Sequence, residues 1–303
     1  MKKNFNLKLL NRLIGFTKPY KFNFIFVSFS AIIISFLSIL NQYFLKIAVD
    51  EYITPRDYKG LLIIIVLMLS VLCFQVIFQF LFIYFTNLLG QKVVYDLRTK
   101  LFKTIINFKM SYYDKSSVGR LVTRTVSDME TIASIFSQGL FMIFADLILM
   151  FSVLIVMIFL SVQLSLIILI ILPFVVLATR LFQRAMKVAF NEVRNEVANL
   201  NSFVQERLSG IKEIQIFNRQ KIETENFKKI NERHKKAWLK TVWYNSIFFP
   251  IAEISISISV GLIVWYAGTN LLQLDSFVSL GTIFLFIQLS QMLFRPLRQI
   301  ADK

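Results

Sequence analysis

"LILMFSVLIVMIFLSVQLSLIILIILPFVVLAT" occupies residues 147–179 and carries no charged side chain. About 20 helical residues cross the hydrocarbon core of a bilayer, so this stretch is too long for one crossing and suits two. The polar break SVQLS at 161–165 divides it. One helix should end near Leu160 and the next begin near Leu164. Further charge-free runs lie at 22–45 and 60–91. With apolar stretches near 246–267 and 278–294, they give six expected spans: 22–45, 60–85, 138–160, 164–182, 246–267 and 278–294. The expected fold class is an all-α membrane protein.

Composition agrees. The chain has 303 residues, 56% of them hydrophobic, with a mean hydropathy of +0.63. The first apolar run is too long for a cleavable signal and lacks a small-residue cleavage site. A net charge of +16 would suit nucleic acid, but the basic residues cluster in segments that flank the spans, so no nucleic-acid partner is expected. The single cysteine, Cys73, lies in an apolar run and excludes a disulfide framework.

Charge also orients the chain. The N-terminus, 92–130, 180–240 and the C-terminal tail together hold 31 Lys and Arg against 12 Asp and Glu. The three short loops on the other side hold 3 basic and 4 acidic residues. Basic residues concentrate in cytoplasmic loops, so both termini are expected inside the cell, in its plasma membrane.

The two long inner segments read as helices. Apolar residues recur at Val93, Leu97, Leu101 and Ile105. They recur again at Val193, Val197, Leu200, Val204, Leu208, Ile211 and Ile214. Spacings of three and four mark one helical face. The membrane helices should therefore continue into the cytoplasm over 86–137 and 183–245. From Gly60 to Phe108 such a helix would run about 73 Å, of which the bilayer core takes about 30 Å. The bundle then ends in two cytoplasmic tips, near 111–118 and 215–224. Each projecting helix bears one apolar stripe, so the projections must pack on one another.

At these tips the sequence resembles the transmembrane domain of a type IV ABC exporter, over essentially the whole chain. The family's first intracellular segment is matched by Tyr113, Asp114, Gly119, Leu121, Thr123, Arg124, Asp128 and Ile132. Its second is matched by Glu206, Gly210, Ile211, Ile214 and Phe217, and its tail by RPLRQIAD at 295–302. Val118 and Gln220 depart from the common residues, Thr and an acid respectively.

The resemblance implies that each tip is a short helix docking on a nucleotide-binding domain. It places Tyr112, Tyr113, Asp114, Lys115, Ser116, Ser117, Val118 and Gly119 in the first docking tip. Phe217, Asn218, Arg219, Gln220 and Lys221 form the second. It also implies a second transmembrane half, in a homodimer or heterodimer, whose ATPase the second tip contacts. No G-x-x-x-x-G-K-[ST] loop occurs in the chain. ATP and Mg are therefore expected in the nucleotide-binding domain, beyond Lys303 or on a separate polypeptide, and no cofactor in this chain.

Three local expectations follow. Gly119 should turn the first tip into the third long helix, by left-handed geometry or close backbone approach. From Leu121 onward that helix should run into the membrane. Arg124 and Asp128, four residues apart, should share a face on it and could pair.

Two acids, Asp146 and Glu253, fall inside spans and are candidates for the translocation pathway or for interhelical hydrogen bonds. His234 has no companion His or Cys for a metal site. Trp238, Trp243 and Tyr244 suit an interfacial aromatic belt, and the Lys and Arg runs beside them suit anionic membrane lipid. A six-span secondary carrier would need three repeats with P-x-[DE]-x-x-[KR], and the nearest match, PRDYK at 55–59, misses the spacing. A channel would need a re-entrant filter loop, whereas a scaffold needs no tip motifs.

Overall fold

The structure, a computed structural model, describes residues 15–272 and 279–302. Among these residues every regular element is helical. After a short turn at Lys18–Tyr20 come α1 (Lys21–Ile47) and α2 (Tyr58–Ile106). Next are α3 (Met110–Lys115), α4 (Val118–Thr125), α5 (Ser127–Ser134) and α6 (Phe141–Leu160). The chain continues as α7 (Val162–Ser209), α8 (Ile211–Ile216), α9 (Gln220–Leu272) and α10 (Leu280–Asp302). Wider π turns occupy Ala48–Ile53 and Ile135–Leu140.

Among the described residues five stretches are long and apolar enough to cross a membrane: Lys18–Ile53, Tyr58–Ile106, Phe141–Leu160, Val162–Ser209 and Gln220–Asn270. The loop before α10, and with it the first residue of the expected sixth span, lies outside the described residues.

The long inner helices are continuous. Helix α2 has 49 residues, α7 has 48 and α9 has 53. No proline interrupts α2, and Asp57 starts it by accepting hydrogen bonds from the Lys59 and Gly60 amides. Pro173 and Pro250 sit within α7 and α9 without ending them, as proline does in membrane helices whose neighbours and side chains re-satisfy the freed carbonyl. The break at SVQLS is a single residue. Ser161 is extended (φ −162°, ψ 113°), and its hydroxyl accepts from the Leu164 amide at 3.4 Å.

The chain divides into two compact units. The first runs to Ser165 and includes Val264–Pro296. Its core joins α1, α2 and α6 through Val27, Ala31, Phe82, Leu89, Val93 and Phe141. Phe24 meets Phe141 edge-on, with ring centroids 5.7 Å apart.

The second unit, Leu166–Ile263 with Leu297–Asp302, contains the greater part of α7 and α9 as an antiparallel hairpin. Phe182 stacks on Phe248 at 4.0 Å. Beyond them the pairing becomes ionic. Lys240 Nζ lies 2.8 Å from Glu192, and Arg233 Nε lies 3.3 Å from Glu196. Arg207 Nε lies 2.7 Å from Glu223. As the numbers rise on α7 they fall on α9, which fixes the register.

The third long helix differs from expectation. It is jointed at Val126 (φ −105°, ψ −72°), between α4 and α5, and again at the π turn. Arg124 and Asp128 therefore stand on different helices, and no ion pair joins them. Glu130 instead pairs with Arg98 of α2 at 2.6 Å, tying α5 to the long helix beside it.

Candidate functional site: two docking tips

The first tip is α3, held between the end of α2 and the start of α4. Helix α2 ends at Ile106, where the last carbonyls, without further helical partners, accept from the chain that follows: Thr104 from the Asn107 amide and Ile105 from the Phe108 amide. Tyr113 turns back, and its phenol donates a hydrogen bond to the Ile105 carbonyl. The rings of Phe108 and Tyr112 lie 4.6 Å apart, and Tyr112 meets Tyr113 edge-on. These contacts fold α3 against the helix it follows. Met110 (76% exposed) and Val118 (66% exposed) then face outward. Asp114, Lys115 and Ser117 are exposed, and Ser116 is half-buried.

The turn out of this tip is made by Ser116 and Ser117, both extended with ψ near 130°. Gly119 does not make it. It sits in the first turn of α4, no glycine has a positive φ, and a Cβ added at Gly119 would meet nothing within 4 Å. The expected left-handed or close-approach role is absent within this chain.

The second tip is α8 with the turn after it. Gly210 precedes α8 with φ −97° and ψ 30°, not left-handed. The left-handed residue is Asn218 (φ 48°), a type that tolerates that region. With it the Arg219 amide reaches the Ile214 carbonyl at 2.9 Å and the chain enters α9 at Gln220. Ile216 and Phe217 are 72% and 71% exposed. Asn218, Arg219, Gln220 and Lys221 are exposed around them.

Behind this apolar point lies a polar depression lined by Glu206, Arg207, Glu213, Arg219 and Glu223. Arg207 carries most of it, contacting Glu206, Glu223 and the Phe203 ring. Its Nε approaches Glu223 at ion-pair distance but off the hydrogen-bond direction. Sequence reading missed this brace and Met110; Ile216 fell inside the expected second tip, near 215–224, but was not named among its docking residues. The signal was present as a basic residue ending α7 and an acid opening α9, a placement that suits both helix dipoles.

Of the acids within spans, Asp146 is half-buried on α6 in the first unit. Glu253 is exposed on α9 in the second unit, in a shallow depression with Phe249, Pro250, Ile254 and Ser257. Among the described residues no group of three His, Cys, Asp or Glu could hold a metal ion.

The family described as the ABC transporter transmembrane region matches residues 24–297. A Bacillus subtilis protein named "Uncharacterized ABC transporter ATP-binding protein YknV" is 25% identical, over 100% of this chain and 50% of its own length. A second from that organism, YknU, is 26% identical over 88% of this chain and 46% of its own. A Staphylococcus aureus protein named "Putative multidrug export ATP-binding/permease protein" is 26% identical, over 95% of this chain and 51% of its own length. The chain thus spans about half the length of the curated relatives it matches. Long apolar helices, two exposed tips at the ends of helical extensions and this match over nearly all residues agree: the chain is a multi-pass membrane protein and belongs to the ABC transporter transmembrane family, with the type IV exporter fold.

Proposed function

We propose that this chain is the transmembrane half of an ATP-driven exporter that couples a translocation pathway to a nucleotide-binding domain through its two tips. The observation that carries this reading is the pair of exposed apolar points, Met110 with Val118 and Ile216 with Phe217, each set in polar surface at the end of a long helix. Apolar side chains in that setting suit a protein groove. The partner domain supplies ATP and Mg, from the same polypeptide or a separate one. A second half, identical or related, completes the pathway. The charge asymmetry supports cytoplasmic tips and termini in the plasma membrane, with six spans.

Tyr112 to Gly119 and Phe217 to Lys221 are the docking residues in this reading. Asp146 and Glu253 are candidate pathway groups, since intramembrane acids face cavities or partners. A cationic cargo and an interhelical hydrogen bond are the two candidate partners of such an acid. The name of the S. aureus relative, which mentions multidrug export, adds support for export; that description belongs to the S. aureus protein.

The test uses the full transporter with its ATPase in proteoliposomes. Phe217→Asp should abolish transport while ATP hydrolysis continues, because the tip no longer seats. Wild-type-like transport by that variant refutes the docking role. Transport that persists without ATP would point to a secondary carrier. Glu253→Gln should slow export of cationic dyes more than neutral ones, and an equal effect on both would assign Glu253 to packing.

A further inference from the structure

Helices α1 and α10 are clasped together within the first unit, beside the start of α2 and so away from the first tip. Helix α1 does not stop cleanly at Ile47. It widens into the π turn Ala48–Ile53, which carries Asp50. One carboxylate oxygen of Asp50 accepts the Gly281 amide at 2.7 Å, and the other accepts the Ser279 hydroxyl. Ser279 also caps α10, accepting from the Thr282 amide at 3.2 Å. The first turn of α10 thus has two of its orphan amides satisfied, one by its own cap and one by a residue 231 positions earlier. The negative charge sits at the positive end of the helix dipole.

Gly281 makes this approach possible. A Cβ there would lie 2.5 Å from the Lys46 carbonyl oxygen and 2.7 Å from the Asp50 carboxylate. At this point the α10 backbone meets two polar groups, the Lys46 carbonyl and the Asp50 carboxylate. Such a contact parts without repacking. Once apart, the carboxylate, the hydroxyl and the amide are all groups that water can satisfy, because they stand at the helix ends rather than in mid-span. π turns recur at functional sites, and this one sets the carboxylate against α10.

We infer that Asp50, Ser279 and Gly281 form an outer latch, which holds the external ends of α1 and α10 together and sets the cost of opening the pathway to the outside. The inference rests on the exporter reading, in which the short-loop side faces outward, and opening to that side then requires the outer helix ends to part. Hydrogen bonds to a charged group are stronger than neutral ones, so their loss should shift the closed-to-open ratio by about tenfold or more.

The experiment reads opening directly in the full transporter. Ile283, one turn inside α10, is 9% exposed. Ile283→Cys in a Cys73→Ser background gives one reporter of this chain, reacted from outside with a membrane-impermeant maleimide, with and without ATP. Asp50→Asn keeps the size of the side chain and should raise the ATP-free labelling rate about tenfold, towards the ATP-bound rate. Gly281→Ala should do the same by steric separation, and Ser279→Ala should give a smaller rise of about threefold. Ser279→Ala removes only a hydroxyl, so it carries the test should either other variant fail to fold. Wild-type labelling that rises with ATP, beside variants that label at the wild-type ATP-free rate, would overturn the latch and leave the exporter reading standing. Wild-type labelling that ignores ATP would overturn both.

Discussion

Replacing Arg207 with alanine should loosen the second tip without unfolding the chain. Arg207 lies in the last turn of α7, 2.7 Å from Glu223 in the first turn of α9 and 2.9 Å from Glu206. Its guanidinium carbon stands 5.0 Å from the Phe203 ring centroid. The neighbouring Glu206 is exposed, and that pair adds close to nothing. The stack on Phe203 adds about 0.5–1 kcal/mol. Glu223 matters more. Its side chain keeps 12% of its exposure, and its other cation, Arg219, is 3.8 Å away.

Without Arg207 a largely desolvated carboxylate keeps only the weaker partner. The cost is about 1–2 kcal/mol, below the roughly 3–5 kcal/mol of a fully buried pair, because Arg207 is itself 36% exposed. The total of about 2 kcal/mol corresponds to roughly thirtyfold in a local opening equilibrium. Hydrogen–deuterium exchange in nanodiscs measures it. Amides 208–223 should exchange about thirtyfold faster in Arg207→Ala, with amides 60–100 unchanged. Arg207→Glu combined with Glu223→Arg should recover part of the protection. A change under threefold, or uniform acceleration along the chain, would refute the brace.

Tyr113→Phe removes the hydrogen bond to the Ile105 carbonyl, about 1 kcal/mol, and should speed exchange at 104–113 roughly fivefold. Gly119→Ala meets open space within the chain, so melting and exchange should not worsen; if ATPase-coupled transport nevertheless falls, the room at Gly119 is needed by the docked partner. Hydrogen bonds from Lys228 and Lys235 hold the Glu225 and Glu232 carboxyls below their ordinary value of 4.5. The small helix support they give is therefore present at neutral pH and is lost as pH falls through their lowered values. Helix protection over 221–236, followed from pH 7 to pH 3, should decline only in that acid range.

Much of the architecture was legible because periodicity and charge act locally. The uncharged run 147–179 announced two crossings, and Ser161 makes the break at one residue. The spacing of Val93, Leu97, Leu101 and Ile105 announced the inner part of α2. The joint at Val126 was not legible. No Gly or Pro marks it, and it falls between helices α4 and α5, the latter tied to α2 by Glu130 and Arg98. The second tip's left-handed residue was sought at no asparagine, yet Asn218 supplies it, while the glycines at 119 and 210 keep negative φ. Asp50 counted in the sequence only as one loop charge. Its partners stand more than 220 positions away, a separation that local patterns cannot report.

The joints in the third long helix make the two arms mechanically unequal. The arm behind the second tip consists of α7 and α9, each an unbroken rod of about 70–80 Å, cross-tied by ion pairs. A displacement at α8 would travel along such a beam with little loss. On the outgoing side of the first tip the backbone ladder is interrupted at Val126 and widened at Ile135–Leu140. A push there is absorbed as bending at two compliant points before it reaches α6. The first tip is therefore backed by one unbroken rod, α2, and one jointed helix, whereas the second is backed by two unbroken rods.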